Sequence, residues 1–536
     1  MSHVAHPEPP LNPHENHLNM TSMKNQSAPD PTRRTFLISA TAAATLAAAS
    51  RTLFAQNSQE SRTALEATLA RDPLRPQFHL LPARNWMNDP NGPIYYRDNY
   101  HMFFQYNPLA AVWGDMSWNH AISKDMLHWT HLPLALTPTP GSPDAYGCFS
   151  GSALAVGNRV YVVYTGTVKS TPALATIHAD LVQESQCLAW SDDPKLIDWH
   201  KDPLPIIPLP PKNLSVTGFR DPSVWRSGDL YSMTVGSGIT DVGGCVLLYQ
   251  SKDLKHWTYL HPLTSGQWNG RKTPNPCDDG EMWECPDFFP LDGLHLLIYS
   301  TLGKVIWQSG KLDEATLTFH PLHSGELDLG SFYAPKTQLD AHGRRILWGW
   351  IREQRSEDAM RAAGWSGMMS LPRVLSLDPN GILHIQTLPS TETLRSTPLP
   401  THQTPTGTRT ILPKANGELL LSSPSGQDFS LSIHAAETEV LHLTYTAKTH
   451  TFLIDGKEFT LQPHDTPNLH AFVDGSVIEL LVGSRVGYTK RFYYTESVAP
   501  DMVVVADGTD PVSLAAWSIA PISENRLTTP TRSIES

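Results

Sequence analysis

The chain is expected to be all-β, a five-bladed β-propeller followed by a C-terminal β-sandwich, and three observations predict this. The 536 residues include 45 Pro, 34 Gly, 15 Trp, 16 Tyr and 16 Phe, a composition that favours short strands, turns and aromatic-lined surfaces over long helices. Sugar is one ligand that suits such surfaces. A segment near residue 123 recurs near residue 251, and a looser copy starts at Ser191. After a Pro/Thr/Ser-rich stretch, a second region of alternating apolar residues begins, without helical periodicity.

Taken in chain order, the first element is a leader. "TRRTFLISATAAATLAAAS" (32 to 50) pairs Arg33 with Arg34, follows them with Phe36-Leu37-Ile38, and ends in small residues. It resembles a twin-arginine export signal within a disordered N-terminus spanning 1 to 55, with cleavage expected near Ala55 and Met23 as an alternative start. The apolar run is about 15 residues, short of the roughly 20 that a membrane span needs. An exported, periplasmic or extracellular protein without a stable membrane anchor is expected.

Charge and cysteines narrow the classes. With 40 basic and 52 acidic residues the formal charge is −12, and no basic run offers the footprint that nucleic acid requires. Cys148, Cys187, Cys245, Cys277 and Cys285 are odd in number and unclustered, so neither a disulfide framework nor a zinc site is indicated. The 24 His lack metal-ligand spacing, and no metal is expected.

From 76 to 386, runs such as "PIYYRDNYHMFFQYNP", "RVYVVYTG", "DLYSMTVGS", "LHLLIYST" and "RRILWGWI" are broken by Gly, Pro, Asn and Asp. They read as strands of four to seven residues, mostly hairpin-connected. "SKDMLHWTHLPL" and "SKDLKHWTYLHPL" match closely, and the starts of the three copies lie 68 and 60 residues apart. That spacing suits four-stranded blades with long loops, and about 310 residues at about 60 each gives five blades. The alternative is a merely recurrent Ser-x-Asp…Trp turn. A linker follows at 387 to 408, then strands such as "DFSLSIH", "EVLHLTYTA" and "HAFVDGSVIELLVG" predict a β-sandwich over 409 to 525.

Three carboxylates could carry chemistry. In "WMNDPNG" (86 to 92), Asp89 is expected to end a short strand and enter a type I turn that fixes its direction. In "FRDP" (219 to 222), Arg220 would hold its neighbour Asp221 ionised. In "EMWECPDFFP" (281 to 290), the apolar neighbours Trp283, Cys285 and Pro286 would raise the pKa of Glu284 towards that of a general acid. Each has a bland alternative: a turn residue, a structural ion pair, a surface glutamate. The chain holds eight Asp-Pro pairs, so that dipeptide alone is uninformative. If successive blades bring the three together on one axis, they fit glycoside hydrolysis, in which one carboxylate attacks and another protonates the leaving oxygen.

"WMNDPNG", "FRDP" and "WECPD", in this order and spacing, closely resemble glycoside hydrolase family 32, the β-fructofuranosidases. The resemblance covers about 76 to 525 and includes "FFQYNP", "AISKDMLHW", "GCFSGSA", "FYAPKT", "LWGWI", "SLPRVLSL" and "FVDGSVIEL". It implies a five-bladed propeller with a β-sandwich, no cofactor, and sucrose or a fructan as substrate. It also implies Asp89 as nucleophile, Glu284 as acid/base and Asp221 as transition-state stabiliser. Asn88, Gln105, Trp113, Phe149, Ser150 and Arg220 match positions around the fructosyl ring. Double displacement with retained configuration would follow, with the attacking and protonating carboxyls about 5 to 5.5 Å apart. An intact Trp86 and Asn88 lean towards hydrolysis over fructosyl transfer. A non-catalytic fructan-binding protein is the alternative from another class. Asn119, Ser331 and Lys336 depart from the family's usual Gly, Asp and Gln; the last two are expected to alter aglycone-side contacts. Cys285 is expected to be a buried apolar residue and not a reactive thiol.

Overall fold

The computed structural model describes residues 64–423, 426–508, 510 and 512–523. Arg33, Arg34 and the expected leader lie outside the described residues. Five sets of four antiparallel strands follow one another along the chain and are the blades of a propeller; those of blades 2 and 3 stand as separate sheets, and the others belong to larger sheets. Their innermost strands are Asn85–Tyr96, Gly147–Val156, Val216–Ser227, Glu284–Leu291 and Phe332–Leu339. Each innermost strand packs against the next, and the fifth packs back against the first, which closes the ring. The family expectation of five blades and a sandwich therefore holds in the fold.

The recurring segment is the turn between the third and outermost strands of blades 1, 2 and 3. In blade 1 the Asp125 carboxylate accepts the Leu127 and His128 backbone N–H groups, and the Trp129 indole donates to the Met126 carbonyl (3.1 Å). Asp253 with Trp257 repeats this in blade 3, where the indole reaches the Leu254 carbonyl at 2.9 Å. Asp193 with Trp199 repeats it in blade 2, and that indole reaches the Leu196 carbonyl at 2.8 Å. Met126, Leu196 and Leu254 all have φ between 57° and 66°. The Asp side chain caps the loop's N–H groups, and the left-handed residue turns its carbonyl towards the indole. The segment is a recurrent turn and also a blade marker.

Between blades the faces are apolar. Phe103 and Trp118 of blade 1 meet Val162 and Tyr164 of blade 2. Val163 and Leu188 meet Met233 and Leu247 of blade 3, and Val246 and Leu248 meet Phe288 and Leu297 of blade 4. Phe289 and Ile298 meet Phe332 and Leu347 of blade 5, whose Trp348 meets Trp129 of blade 1. Trp118, wholly buried, donates its indole N–H to the Phe149 carbonyl at 3.0 Å, so its burial leaves no orphaned donor.

The stretch expected as a linker, 387 to 408, is not free chain. It holds a 3-10 turn at Pro389–Leu394 and the strand Arg395–Pro398, which pairs with Ser513–Ile519. Two sheets of the sandwich enclose one apolar core, from Leu412 and Leu431 to Phe452, Leu480 and Val504. One of them continues the outer strand of blade 4 through a parallel bridge, Asp328 to Gly487.

A buried ionic network joins propeller to sandwich. Arg373 donates to Asp328 (2.9 Å) and Glu479 (2.6 Å), and Glu479 accepts from His79 at 2.8 Å. The other imidazole nitrogen of His79 bonds Asp474 at 2.8 Å. Burial alone would lower the pKa of His79, but the bonds to the two carboxylates outweigh it and raise the value to about 9. Since the unfolded value is about 6.5, its stabilisation is complete below that pH and is lost as pH rises through about 9. The denaturant midpoint of the protein should therefore fall between pH 7 and pH 10, and this slope should flatten in His79→Leu; equal slopes in the two would refute the assignment.

Candidate active site

At the axis the five innermost strands share one irregularity. Met87 pairs with Tyr106 and Pro90 with Phe104, which leaves one extra residue on the inner strand. The same single-residue excess occurs at Phe149 to Gly151, Arg220 to Ser223, Glu284 to Asp287 and Tyr333 to Lys336. These are β-bulges, which bend a strand and re-aim its side chains. "DPNG" is thus not the type I turn expected from the sequence. Asn85–Tyr96 runs through it as one bulged strand, and Pro90 is tolerated because beyond Trp86, where the pairing with Trp365–Ser366 stops, the strand has a sheet neighbour on one side only.

Aligned on their prolines, four of the bulged segments read Asn88-Asp89-Pro90, Arg220-Asp221-Pro222, Glu284-Cys285-Pro286 and Tyr333-Ala334-Pro335, and Phe149-Ser150-Gly151 is the corresponding segment of blade 2. The first residue of every segment lines a single cavity of about 790 Å³, and Asp89, Asp221 and Cys285 from the second position join them. Asp221, Cys285 and Ala334 hold φ of 64°, 50° and 51°, a left-handed geometry that non-glycine residues rarely adopt. The residues after the prolines interlock the blades. Ser223 donates to Asp287 (3.0 Å), Asp287 accepts from Thr337 (2.8 Å), and Lys336 donates to the Pro286 carbonyl (2.8 Å).

The three carboxyls differ in their partners. Asp89 accepts from Ser150 Oγ (2.6 Å) and Asn88 Nδ2 (3.0 Å). Gln105 donates to Ser150 (2.7 Å), and the Trp86 indole anchors Asn88 (2.7 Å). Asp221 accepts from the Cys285 backbone N–H at 2.9 Å. Cys285 Sγ lies 3.6 Å from Asp89 Oδ2 and 3.5 Å from Asp221 Oδ2. Glu284 Oε1 accepts from Arg220 Nη2 (2.7 Å) and Nε (3.1 Å), and its Oε2 accepts from Tyr333 OH (2.9 Å).

These contacts reverse two expectations from the sequence. Arg220 was expected to keep Asp221 ionised, yet its guanidinium bonds Glu284 and the buried Glu184 (2.9 Å). Burial, with the charges of Glu284 and Asp89, raises Asp221 to about 7 despite Arg220. Glu284 was expected to be raised by apolar neighbours. Burial does push it up, but the charge and bonds of Arg220, with Tyr333, outweigh burial and hold it below the usual carboxylate range. Asp89 is raised, chiefly by burial and also by Glu284, against the bond from Ser150. Burial and the adjacent carboxylates push the Cys285 thiol well up, leaving it protonated.

Of the residues expected around the sugar, Asn88, Gln105, Trp113, Phe149 and Arg220 line the cavity. Ser150 is fully buried and serves Asp89 from behind. Ser331 and Lys336 do not line the cavity, contrary to their expected aglycone contacts: Ser331 accepts from Gln354 (2.7 Å), and Lys336 is an interlocking residue beneath Pro286. Asn119 caps the His120 N–H at 2.8 Å. Glu184 and Tyr333 were missed. Tyr333 was recoverable from "YAP" beside "NDP", "RDP" and "ECP"; Glu184, within a third strand, carries no such local signal.

Arg220 joins two buried carboxylates, so its loss leaves both unpaired. Arg220→Gln should cost ~3–5 kcal/mol in denaturant unfolding, and adding Glu184→Gln should recover part of that. A double variant that is less stable than the single one would contradict this pairing.

Residues 79–387 match the glycosyl hydrolases family 32 N-terminal domain, and residues 385–518 match the family 32 C-terminal domain. The sucrose-6-phosphate hydrolase of Escherichia coli is 38% identical over 335 residues, 60% of this chain and 66% of that protein, so the match spans just under two thirds of the relative. A mutant of the Bombyx mori β-fructofuranosidase BmSUC1, solved in complex with sucrose, superposes with a TM-score of 0.74 at 27% identity, covering 89% of this chain and 99% of that one. Fructan 1-exohydrolase IIa of Cichorium intybus, solved with 1-kestose, gives a TM-score of 0.70 at 25% identity, with 84% and 98% covered. With both of its domains matched in order, this chain belongs to glycosyl hydrolase family 32.

Proposed function

We propose that the protein is a retaining glycosidase that releases terminal β-D-fructofuranosyl residues from sucrose or fructans. The observation that supports this best is the convergence of Asp89, Asp221 and Glu284, from three different blades, on one aromatic-walled cavity. Asp89, oriented by Ser150 and Asn88, attacks C2 of the fructosyl unit while Glu284 protonates the departing oxygen. Water that has given its proton to Glu284 then releases fructose from the enzyme. Asp221 holds sugar hydroxyls, and its contact accelerates the reaction to the extent that it strengthens as positive charge develops on the ring.

The cavity favours an uncharged sugar over a phosphorylated one. Asp180, Asp278 and Glu281 line the same walls. Of the cations there, Arg220 is committed to Glu184 and Glu284, Lys272 faces Asp241 (3.2 Å), and Arg352 donates to the Gly303 carbonyl (2.9 Å). An added phosphate dianion would meet net negative charge.

Product analysis on sucrose, inulin and levan is the primary test. Asp89→Ala should lose activity by about 10³-fold or more, and Glu284→Ala by ~10²–10⁴; undiminished turnover by Asp89→Ala would sink the mechanism. Oligosaccharides longer than the substrate would instead indicate fructosyl transfer, and sugar binding without turnover a binding protein. Protonated Glu284 is needed for the first step, so kcat/KM should decline with rising pH as Glu284 ionises. Tyr333→Phe removes a bond to the ionised form, and this limb should move to higher pH; a limb that stays in place would separate Tyr333 from proton transfer. Export through the twin-arginine route is part of the proposal: replacing Arg33 and Arg34 by Lys should retain the protein in the cytoplasm, and unchanged secretion would refute it.

A further inference from the structure

Glu184 is a wholly buried carboxylate with no part in the double displacement. It stands on the third strand of blade 2, Val182–Ser191, and does not line the cavity. Its Oε1 accepts from Arg220 Nη1 at 2.9 Å, and its Oε2 accepts from Thr176 Oγ1 (2.7 Å) and from the Phe219 N–H (2.8 Å). The Glu184 N–H donates back to Thr176 Oγ1 at 3.1 Å. Replacing a buried ion pair by apolar side chains of similar volume is often neutral or stabilising, so packing gives no reason for a carboxylate here. Its place relative to Glu284 does.

Arg220 spans the two carboxylates. Its Nη1 bonds Glu184, whereas its Nη2 and Nε bond Glu284 Oε1 at 2.7 and 3.1 Å. Burial alone would lower the Arg220 guanidinium, but the charges of Glu184 and Glu284 raise it well above its usual range, so it is a fixed cation shared by both. Tyr333 of blade 5 donates to Glu284 Oε2, with Arg352 over its ring at 4.9 Å, and Asp89 and Asp221 add negative charge from blades 1 and 3. Asp278 and the thiols of Cys277 and Cys285 complete the surroundings, and burial keeps both thiols protonated.

The same contacts reach a wall of the cavity. Thr176 belongs to the loop between the second and third strands of blade 2, whose Ile177, His178 and Asp180 line the cavity. Its N–H donates to the Val182 carbonyl at 2.9 Å, which closes the loop at its base.

We propose that Glu184 is a positioning residue for proton transfer: it holds Arg220 against Glu284, offsets part of that cation's charge, and ties the contact through Thr176 to the loop that walls the cavity. The proposal rests on the fructosidase reading above. With Glu184 ionised, Glu284 meets Arg220 as one half of an ion pair. With a neutral residue there it meets the whole cation and gives up its proton more readily.

The test reads the pH at which kcat/KM on sucrose declines. Glu184→Gln keeps the size and removes the charge, and the declining limb should move down by about 0.5 pH unit or more. Thr176→Val keeps the charge but removes the hydroxyl that shares it, so Glu184 draws Arg220 away from Glu284 and the limb should move up; Thr176→Ser should restore it. A merely structural role lowers kcat/KM by one factor at every pH and moves no limb. A limb that stays or rises in Glu184→Gln would overturn the proposal, and where that variant does not fold, an unmoved limb in Thr176→Val would do so. Infrared titration of the Glu284 carboxyl, taken as the difference from the matching Glu284→Gln protein, reads the same shifts without turnover. Absence of fructose release from every sugar would therefore overturn the fructosidase reading and leave the infrared shifts to decide the role of Glu184.

Discussion

Ring closure is the constraint on which the rest of this structure depends. Five sheets meet at one axis, and each innermost strand must run beside two neighbours without pairing to them through its backbone. A bulge in every inner strand meets that requirement by bending the strand, and it turns one or two of the bulged residues towards the cavity. The proline that follows in four of the five segments lacks an N–H and so leaves no unsatisfied donor facing the axis. Ring closure thus brings one or two residues of each bulged segment to one cavity, and the site is built from them.

Charge balance follows from that geometry. Asp89, Asp221 and Glu284 share one cavity, and Arg220 places its guanidinium within bonding distance of Glu284. Its position is held from behind by Glu184, itself bonded to Thr176 (2.7 Å) and to the Phe219 N–H (2.8 Å). The cation therefore stabilises charge on Glu284 more than on its sequence neighbour Asp221, and the proton affinities of the two diverge. The divergence runs against the proposed roles, since Glu284, the proposed acid, holds its proton less tightly than Asp221.

Much of the architecture was legible in the sequence because it depends on local chemistry. The Ser-x-Asp…Trp turn needs a side-chain oxygen, a left-handed residue and an indole within seven positions, so the pattern repeats with the blades that use it. Alternation in "DFSLSIH" identifies a strand buried on one face, since the backbone period is two. "DPNG" was read as a turn because its residues are those of a turn. The local preference yielded to a strand that must continue to Tyr96 to pair with Asn99–Asn107. The supposed linker likewise became an edge strand, because its backbone groups could complete a sheet supplied by residues more than a hundred positions away.

What the sequence determined by itself was which carboxyls are candidates for chemistry and the order in which they occur: Asp89, Asp221 and Glu284 lie in three motifs, on the first, third and fourth innermost strands, and the family resemblance rests on those same motifs. The tertiary structure decided which charge meets which. Arg220 and Asp221 are adjacent in the chain but point to different partners, because successive residues at a bulge diverge, whereas Arg220 and Glu284 are 64 residues apart and in contact. Proton affinity depends on burial and on charges within a few ångströms, and both are properties of the closed ring. For that reason the expected pKa directions of Asp221 and Glu284 were reversed, although the three carboxyls do meet in one cavity.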